Sequence, residues 1–111
     1  MNRKNIYDDK CPVLYVLNII GGKWRLPILW HLRNGSLRYN QLKRSLTGIT
    51  NIMLTRSLQD LEEYGLIKRI QYSEISPHVE YFLTENAEKL IPVLGIIQEW
   101  GKEQIMVNKK K

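Results

Sequence analysis

Asn51, Ile52, Thr55, Arg56 and Gln59 recur at the spacing of one helix face, opposite Leu54, Leu58 and Leu61. The polar members of that set are side chains that read base edges in a DNA major groove. Arginine pairs with guanine, asparagine or glutamine pairs with adenine, and the threonine methyl can touch the methyl of thymine. Such helices present their N-terminal residues to the bases. Glu62 and Glu63 near the other end would be repelled by phosphate, which sets the same direction of entry. Thr50 lies at that entry and is a good N-cap. Arg38, Lys43 and Arg44 lie just upstream and can neutralise phosphates. A polar outer face is also what any solvated helix shows. The three neighbouring cations are the feature that a merely solvated face does not require.

Other residues offer less. Ser76 and His78 lie at the tip of a hairpin, where they could meet a minor groove or its backbone. Glu74 opposes this, and no arginine or lysine falls between Ser73 and Glu80, so a purely structural hairpin explains them equally well. Cys11 is the single cysteine. It reads either as a small apolar residue at a helix start or as a reactive thiol, since a helix N-terminus stabilises a thiolate and Lys10 adds positive charge. Gly21-Gly22-Lys23 lacks the glycine spacing and the following hydroxyl of a phosphate loop. His31 and His78 have no cysteine or carboxylate at ligand spacing, so no metal site and no cofactor is expected. No nucleophile–base pair is recognisable. Asp60, Glu62 and Glu63 read as surface charges of a helix, and an enzyme is not expected.

The elements that must hold these residues follow from periodicity and stop signals. Pro12 suits the first position of a helix over 12–20. Val13, Leu14, Val16, Leu17, Ile19 and Ile20 leave that helix almost no polar side, so it must be covered on two sides. Gly21-Gly22 ends it. A second helix carries Trp24, Leu26, Ile28, Leu29 and Leu32, with Pro27 in its first turn or at a kink, and stops at Asn34-Gly35. A short strand is possible over 36–39. Asn40 can cap a third helix with Leu42 and Leu46 buried. A tight connection at 47–49 leads to the helix begun by Thr50, which ends at Gly65. Strands over 66–72 and 79–83 form the hairpin. Thr84 caps a last helix over 85–100, with Pro92 bending it and a stripe at Leu90, Val93 or Leu94, Ile97 and Trp100, widened by Ile91 and Ile96. The result is mainly α with a small β-hairpin, a winged helix-turn-helix in one domain over 1–111. Residues 1–10 read as a flexible start and 107–111 as a basic tail.

Composition agrees with this class. In 111 residues, 17 Lys and Arg stand against 11 Asp and Glu, a formal net charge of +6. The resulting pI near 9.6 favours a polyanionic partner. One cysteine cannot make an internal disulfide, and no stretch has the order of a secretion signal, so a reducing cytoplasm is expected. The run 12–20 is too short to span a bilayer, and no membrane association is expected.

The chain resembles the HxlR-type transcription regulators, winged-helix proteins related to the MarR group. The resemblance rests on Cys-Pro-Val at 11–13, Ile-Gly-Gly-Lys-Trp at 20–24 and Leu-Arg-Tyr-Asn-Gln-Leu at 37–42. It continues through Gly-Ile-Thr at 48–50, Met-Leu-Thr-Arg-Ser-Leu at 53–58, Leu-Glu-Glu-Tyr-Gly-Leu-Ile at 61–67 and Val-Glu-Tyr-Phe-Leu-Thr at 79–84. It implies a bacterial, cytoplasmic homodimer that binds a double-stranded operator, as a repressor or an activator. It also implies dimer contacts through the N- and C-terminal helices, 12–20 and 85–100, a recognition helix at 50–64 and a wing at 73–78. Some relatives sense electrophiles or oxidants through a cysteine at the position of Cys11. Here no second cysteine is present, so a disulfide would have to form between subunits or with a small thiol. A winged helix serving only as a protein-interaction module is the competing possibility.

Overall fold

The computed structural model describes residues 11–72, 75 and 78–109. Helix α1 (Pro12–Ile20) begins with proline at its first position, where the missing N–H is no loss. It ends at Gly21, whose N–H donates to the Leu17 carbonyl at 2.8 Å. A Cβ on Gly21 would collide with that carbonyl oxygen, so no other residue closes the helix in this way. Helix α2 (Arg25–His31) holds Pro27 in its first turn, as its missing donor demands, and buries Ile28 and Leu29 completely.

Strand β1 (Leu37–Arg38) leads directly into α3 (Tyr39–Ser45), and a tight turn leads to α4 (Asn51–Glu63). The N-cap of α3 is Arg38 rather than Asn40. Gln41 Oε1 accepts from the Arg38 N–H at 2.8 Å, which satisfies a donor at this helix start, two residues upstream of the expected cap. At the start of α4 the Thr50 hydroxyl accepts from the Met53 N–H at 3.1 Å, the cap expected from sequence. Gly65 ends α4 in the left-handed region at φ 75°. Its N–H donates to the Glu62 carbonyl, and the Leu66 N–H reaches back to that of Leu61 at 2.9 Å, the paired closure that a left-handed glycine permits.

Strands β2 (Ile67–Gln71) and β3 (Val79–Leu83) pair antiparallel, Ile67 with Leu83 and Gln71 with Val79. The sheet has three strands, not two, in the order β1-β3-β2. β1 adds to β3 with Leu37 opposite Tyr81 and Arg38 opposite Glu80, so the start of the helix-turn-helix is tied to the hairpin. Residues from α2, α3, α4 and the sheet share one core around Leu29, Leu42, Leu54 and Leu61.

The C-terminal segment departs from a single bent helix. A one-turn helix, α5 (Glu85–Glu88), is capped by the Thr84 hydroxyl on the Ala87 N–H at 3.2 Å. A new helix, α6 (Ile91–Lys109), then starts with Pro92 in its first turn. Proline is tolerated there and not within a helix, so the chain breaks before Pro92 instead of bending at it. α6 continues through 107–109, the start of the stretch expected as a basic tail. Residues 1–10 and 110–111 lie outside the described residues.

Candidate nucleic-acid interface

The core fixes how α4 is rolled. Leu54, Leu58 and Leu61 point inward and are at most 3% exposed, which turns Asn51, Ile52, Thr55, Arg56 and Gln59 outward. These five line one shallow, open concavity on the outside of the helix. All five are exposed. The set read from helical spacing is thus brought together on one surface.

Tyr39, absent from that set, organises its start. Its hydroxyl lies 3.1 Å from the Asn51 carbonyl oxygen, 3.3 Å from Asn51 Oδ1 and 3.1 Å from Thr55 Oγ1. The ring packs against the core from the first position of α3. The two helices of the unit are therefore joined at the start of α4, with Asn51 and Thr55 held in place. No periodicity marks Tyr39, because its role depends on the angle between α3 and α4.

The basic residues fall into three places. Lys43 and Arg44 lie in the last turn of α3, where they also complement the negative end of the helix. Arg44 is exposed and Lys43 half-buried. Arg38 is exposed at the N-cap, and its charge acts on Glu80 across the β1–β3 pair. Arg69 is a further cation that sequence reasoning passed over. It stands opposite Tyr81 in the ladder, so both share a face. That face turns toward α4, since Arg69 and Tyr81 border a cleft with Tyr39, Thr55 and Gln59. Lys68 points the other way, 5.8 Å from the Phe82 ring. Strand alternation signals that Lys68 and Arg69 face opposite sides, and only the register says which one joins the site.

The base of the hairpin is held by a small polar network. Ser36 Oγ donates to Glu80 Oε1, and His78 Nε2 lies 3.0 Å from Glu80 Oε2. The His78 ring also stacks on Tyr72, with centroids 4.9 Å apart. The Ser36 hydrogen bond, then those of His78 and its charge with that of Arg38, hold the Glu80 carboxyl below the usual carboxylate range against a smaller opposing effect of burial. His78 is thus half-buried and turned back onto the strands. Ser76 and Glu74 lie outside the described residues, and Ile75 at the tip is fully open to solvent.

Asp60 is not the free surface charge expected from its place on α4. Its Oδ2 accepts from Arg25 Nη2 at 2.7 Å, and both side chains are 16% exposed. The other guanidinium nitrogen, Nη1, donates to the carbonyls of Asn18 and Ile19 at 3.1 and 2.8 Å. One side chain therefore ties the end of α1 to α4.

Cys11 is half-buried at the N-cap of α1. No cluster of metal-binding side chains occurs among the described residues, and no helix there is long and apolar enough to cross a membrane.

Residues 19–109 match the family model described as HxlR-like helix-turn-helix. An HTH-type transcriptional regulator of Methanothermobacter thermautotrophicus is 47% identical over 97 residues, 86% of this chain and 74% of the relative. The HTH-type transcriptional regulator YybR of Bacillus subtilis is 41% identical over 102 residues, 90% of this chain and 82% of the relative. Among solved structures, the redox regulator HypR in its reduced form superposes with a TM-score of 0.84 at 37% identity, covering 91% of this chain and all of the other. Its oxidized form gives 0.80 at 40% identity, covering 84% and 96%. The matched segment spans the helix-turn-helix, the three-stranded wing and the C-terminal helix described above: the chain belongs to the HxlR-like helix-turn-helix family of DNA-binding transcription regulators, not to a family of enzymes.

Proposed function

We propose that the protein is a homodimeric, sequence-specific operator-binding regulator, acting as a repressor in the cytoplasm from a single winged-helix domain. The observation that carries this is the outward stripe of α4, whose Asn51, Thr55, Arg56 and Gln59 are exposed together on a helix that the core rolls into position. In this reading the stripe contacts bases, while Arg38, Lys43, Arg44 and Arg69 contact phosphates. Thr50 offers its backbone at the helix start, and Ser76 and His78 belong to the wing contact.

Two surfaces support a dimer through α1 and α6, the latter taking the place of the single helix expected at 85–100. In the first two turns of α1 the apolar side chains face out, with Val13 70% and Leu17 51% exposed, while Asn18 is buried and Ile19 and Ile20 pack on the core. In α6, about 28 Å long at 1.5 Å per residue, Leu94 is the buried residue, and Ile96 and Trp100 are more than 60% exposed. Apolar surface of this extent marks an association site. A two-fold dimer would place the two α4 helices in successive major grooves, roughly 34 Å apart.

The deciding experiment is binding-site selection from a random duplex library, followed by Arg56→Ala and Gln59→Ala. Loss of the selected sequence with an intact dimer is expected. Unchanged regulation by both variants would instead favour a protein-interaction module. The likeness to HypR, a redox regulator, supports a second element, in which oxidation or alkylation of Cys11 alters operator affinity. Wild type and Cys11→Ser compared before and after diamide decide it, and equal responses exclude the switch.

A further inference from the structure

One side chain of the α4 stripe has no role in hydrogen-bonded base reading. Ile52 is 71% exposed at the second position of the helix, and it shares its concavity with Asn51, Thr55, Arg56 and Gln59. Its spacing to Thr55, Arg56 and Gln59 is i+3, i+4 and i+7, so it lies within the polar stripe.

The fold does not require it there. The core side of α4 is formed by Leu54, Leu58 and Leu61, and Ile52 is not among the side chains packed on that core. It lies on neither α1 nor α6, the helices that carry the extended apolar surfaces. A β-branched residue is also a weak helix former at an exposed position. An apolar group carried into a major groove by the first turn of a helix meets edges made of donors and acceptors, with one apolar exception, the C5-methyl of thymine. Thr55 carries the other methyl in this concavity, with its hydroxyl 3.1 Å from the Tyr39 hydroxyl, and the Ile52→Ala arm of the test below separates the two.

We propose that Ile52 is a specificity-determining residue that packs against the C5-methyl of a thymine in each half-site. This rests on the operator-binding reading above. The test uses the full chain and the duplex enriched by selection, with each thymine replaced singly by deoxyuridine, which removes a methyl and leaves every hydrogen bond. At one thymine per half-site, wild-type affinity falls about fourfold, the change that corresponds to roughly 0.8 kcal/mol for one buried carbon group. Ile52→Ala, which removes the contact from both half-sites of the dimer at once, binds the thymine duplex more weakly by about the square of that factor, roughly sixteenfold, and no longer distinguishes deoxyuridine. Ile52→Val, which keeps a branched apolar tip, retains the distinction. A wild type insensitive to every replacement overturns the proposal while leaving operator binding intact. Undiminished discrimination by Ile52→Ala does the same, because another group must then read the methyl. A selection that enriches no sequence refutes operator binding itself, and this proposal with it.

Discussion

Replacing Arg25 with alanine should destabilise the protein by about 2–3 kcal/mol, between the cost of breaking a fully buried pair and that of an exposed one. Two losses contribute. The Asp60 carboxylate, 16% exposed, would lose a charge-assisted partner at 2.7 Å. The carbonyls of Asn18 and Ile19, at the end of α1, would lose the donor that now satisfies them. The guanidinium also lies 5.5 Å from the centre of the Tyr64 ring, a minor contribution at this distance. Asp60→Asn keeps the shape and an acceptor oxygen and leaves both carbonyl contacts intact, so it should cost less, about 1–2 kcal/mol. Urea unfolding at a fixed protein concentration measures both, because the stability of the dimer proposed above would depend on concentration. The double-mutant cycle of Arg25→Ala with Asp60→Ala should return a coupling energy of about 1–2 kcal/mol. An Arg25→Ala cost below about 0.5 kcal/mol, the range of exposed pairs, would refute the idea that this guanidinium joins α1 to α4.

Tyr39→Phe removes the hydroxyl near Asn51 and Thr55 but keeps the ring, so the fold should stay intact while affinity for the selected duplex falls about fivefold, the equivalent of one net hydrogen bond; an unchanged Kd in a titration would show that the contact does not position the helix. Thr50→Ala removes the α4 cap and should cost about 1 kcal/mol, read as a thermal midpoint lowered by roughly 4–8 °C. Glu80 has a folded-state pKa below its unfolded value, so the stability it contributes is present above the unfolded pKa and lost as pH falls through the lower one. Urea midpoints from neutral to about pH 3 should drop less steeply in Glu80→Gln than in wild type, and parallel curves would refute the linkage.

Sequence made the α4 stripe legible because one helix supplies both of its sides. Leu54, Leu58 and Leu61 mark the inside by periodicity, and whatever lies opposite must be outside. The caps at Thr50 and Gly65 were legible for a similar reason, since each depends on a single residue type at a chain-local position. Contacts that join elements were not. Asp60 looks like any surface carboxylate until α1 and α2 bring Arg25 to it, 35 positions away in the chain. Tyr39 depends on the angle between α3 and α4, and Arg69 on the register against Tyr81. The C-terminal helix departs from its sequence pattern for a local reason. Pro92 within an apolar stripe is compatible with a bend in a continuous helix, while the restart at Ile91 lets the same proline occupy a first turn without breaking a hydrogen bond.

The position of Arg25 also constrains how any event on α1 can reach the outward stripe of α4. α1 contributes few buried side chains, with Ile19 and Ile20 packed on the core from its last turn. A further tie is the pair of carbonyls held by Arg25, and that same guanidinium holds Asp60. Asp60 follows Arg56 by one helical turn and Gln59 by one residue. A shift of the C-terminal end of α1 must therefore either break two hydrogen bonds at 2.8 and 3.1 Å or carry the Asp60 side of α4 with it. Cys11 lies at the opposite end of α1, nine residues of helix away. A modification there that merely frays the first turn would leave Asn18 and Ile19 in place and α4 unmoved. To change operator binding it would have to move α1 as a body, which in the proposed dimer requires the surface covering Val13 and Leu17 to move as well.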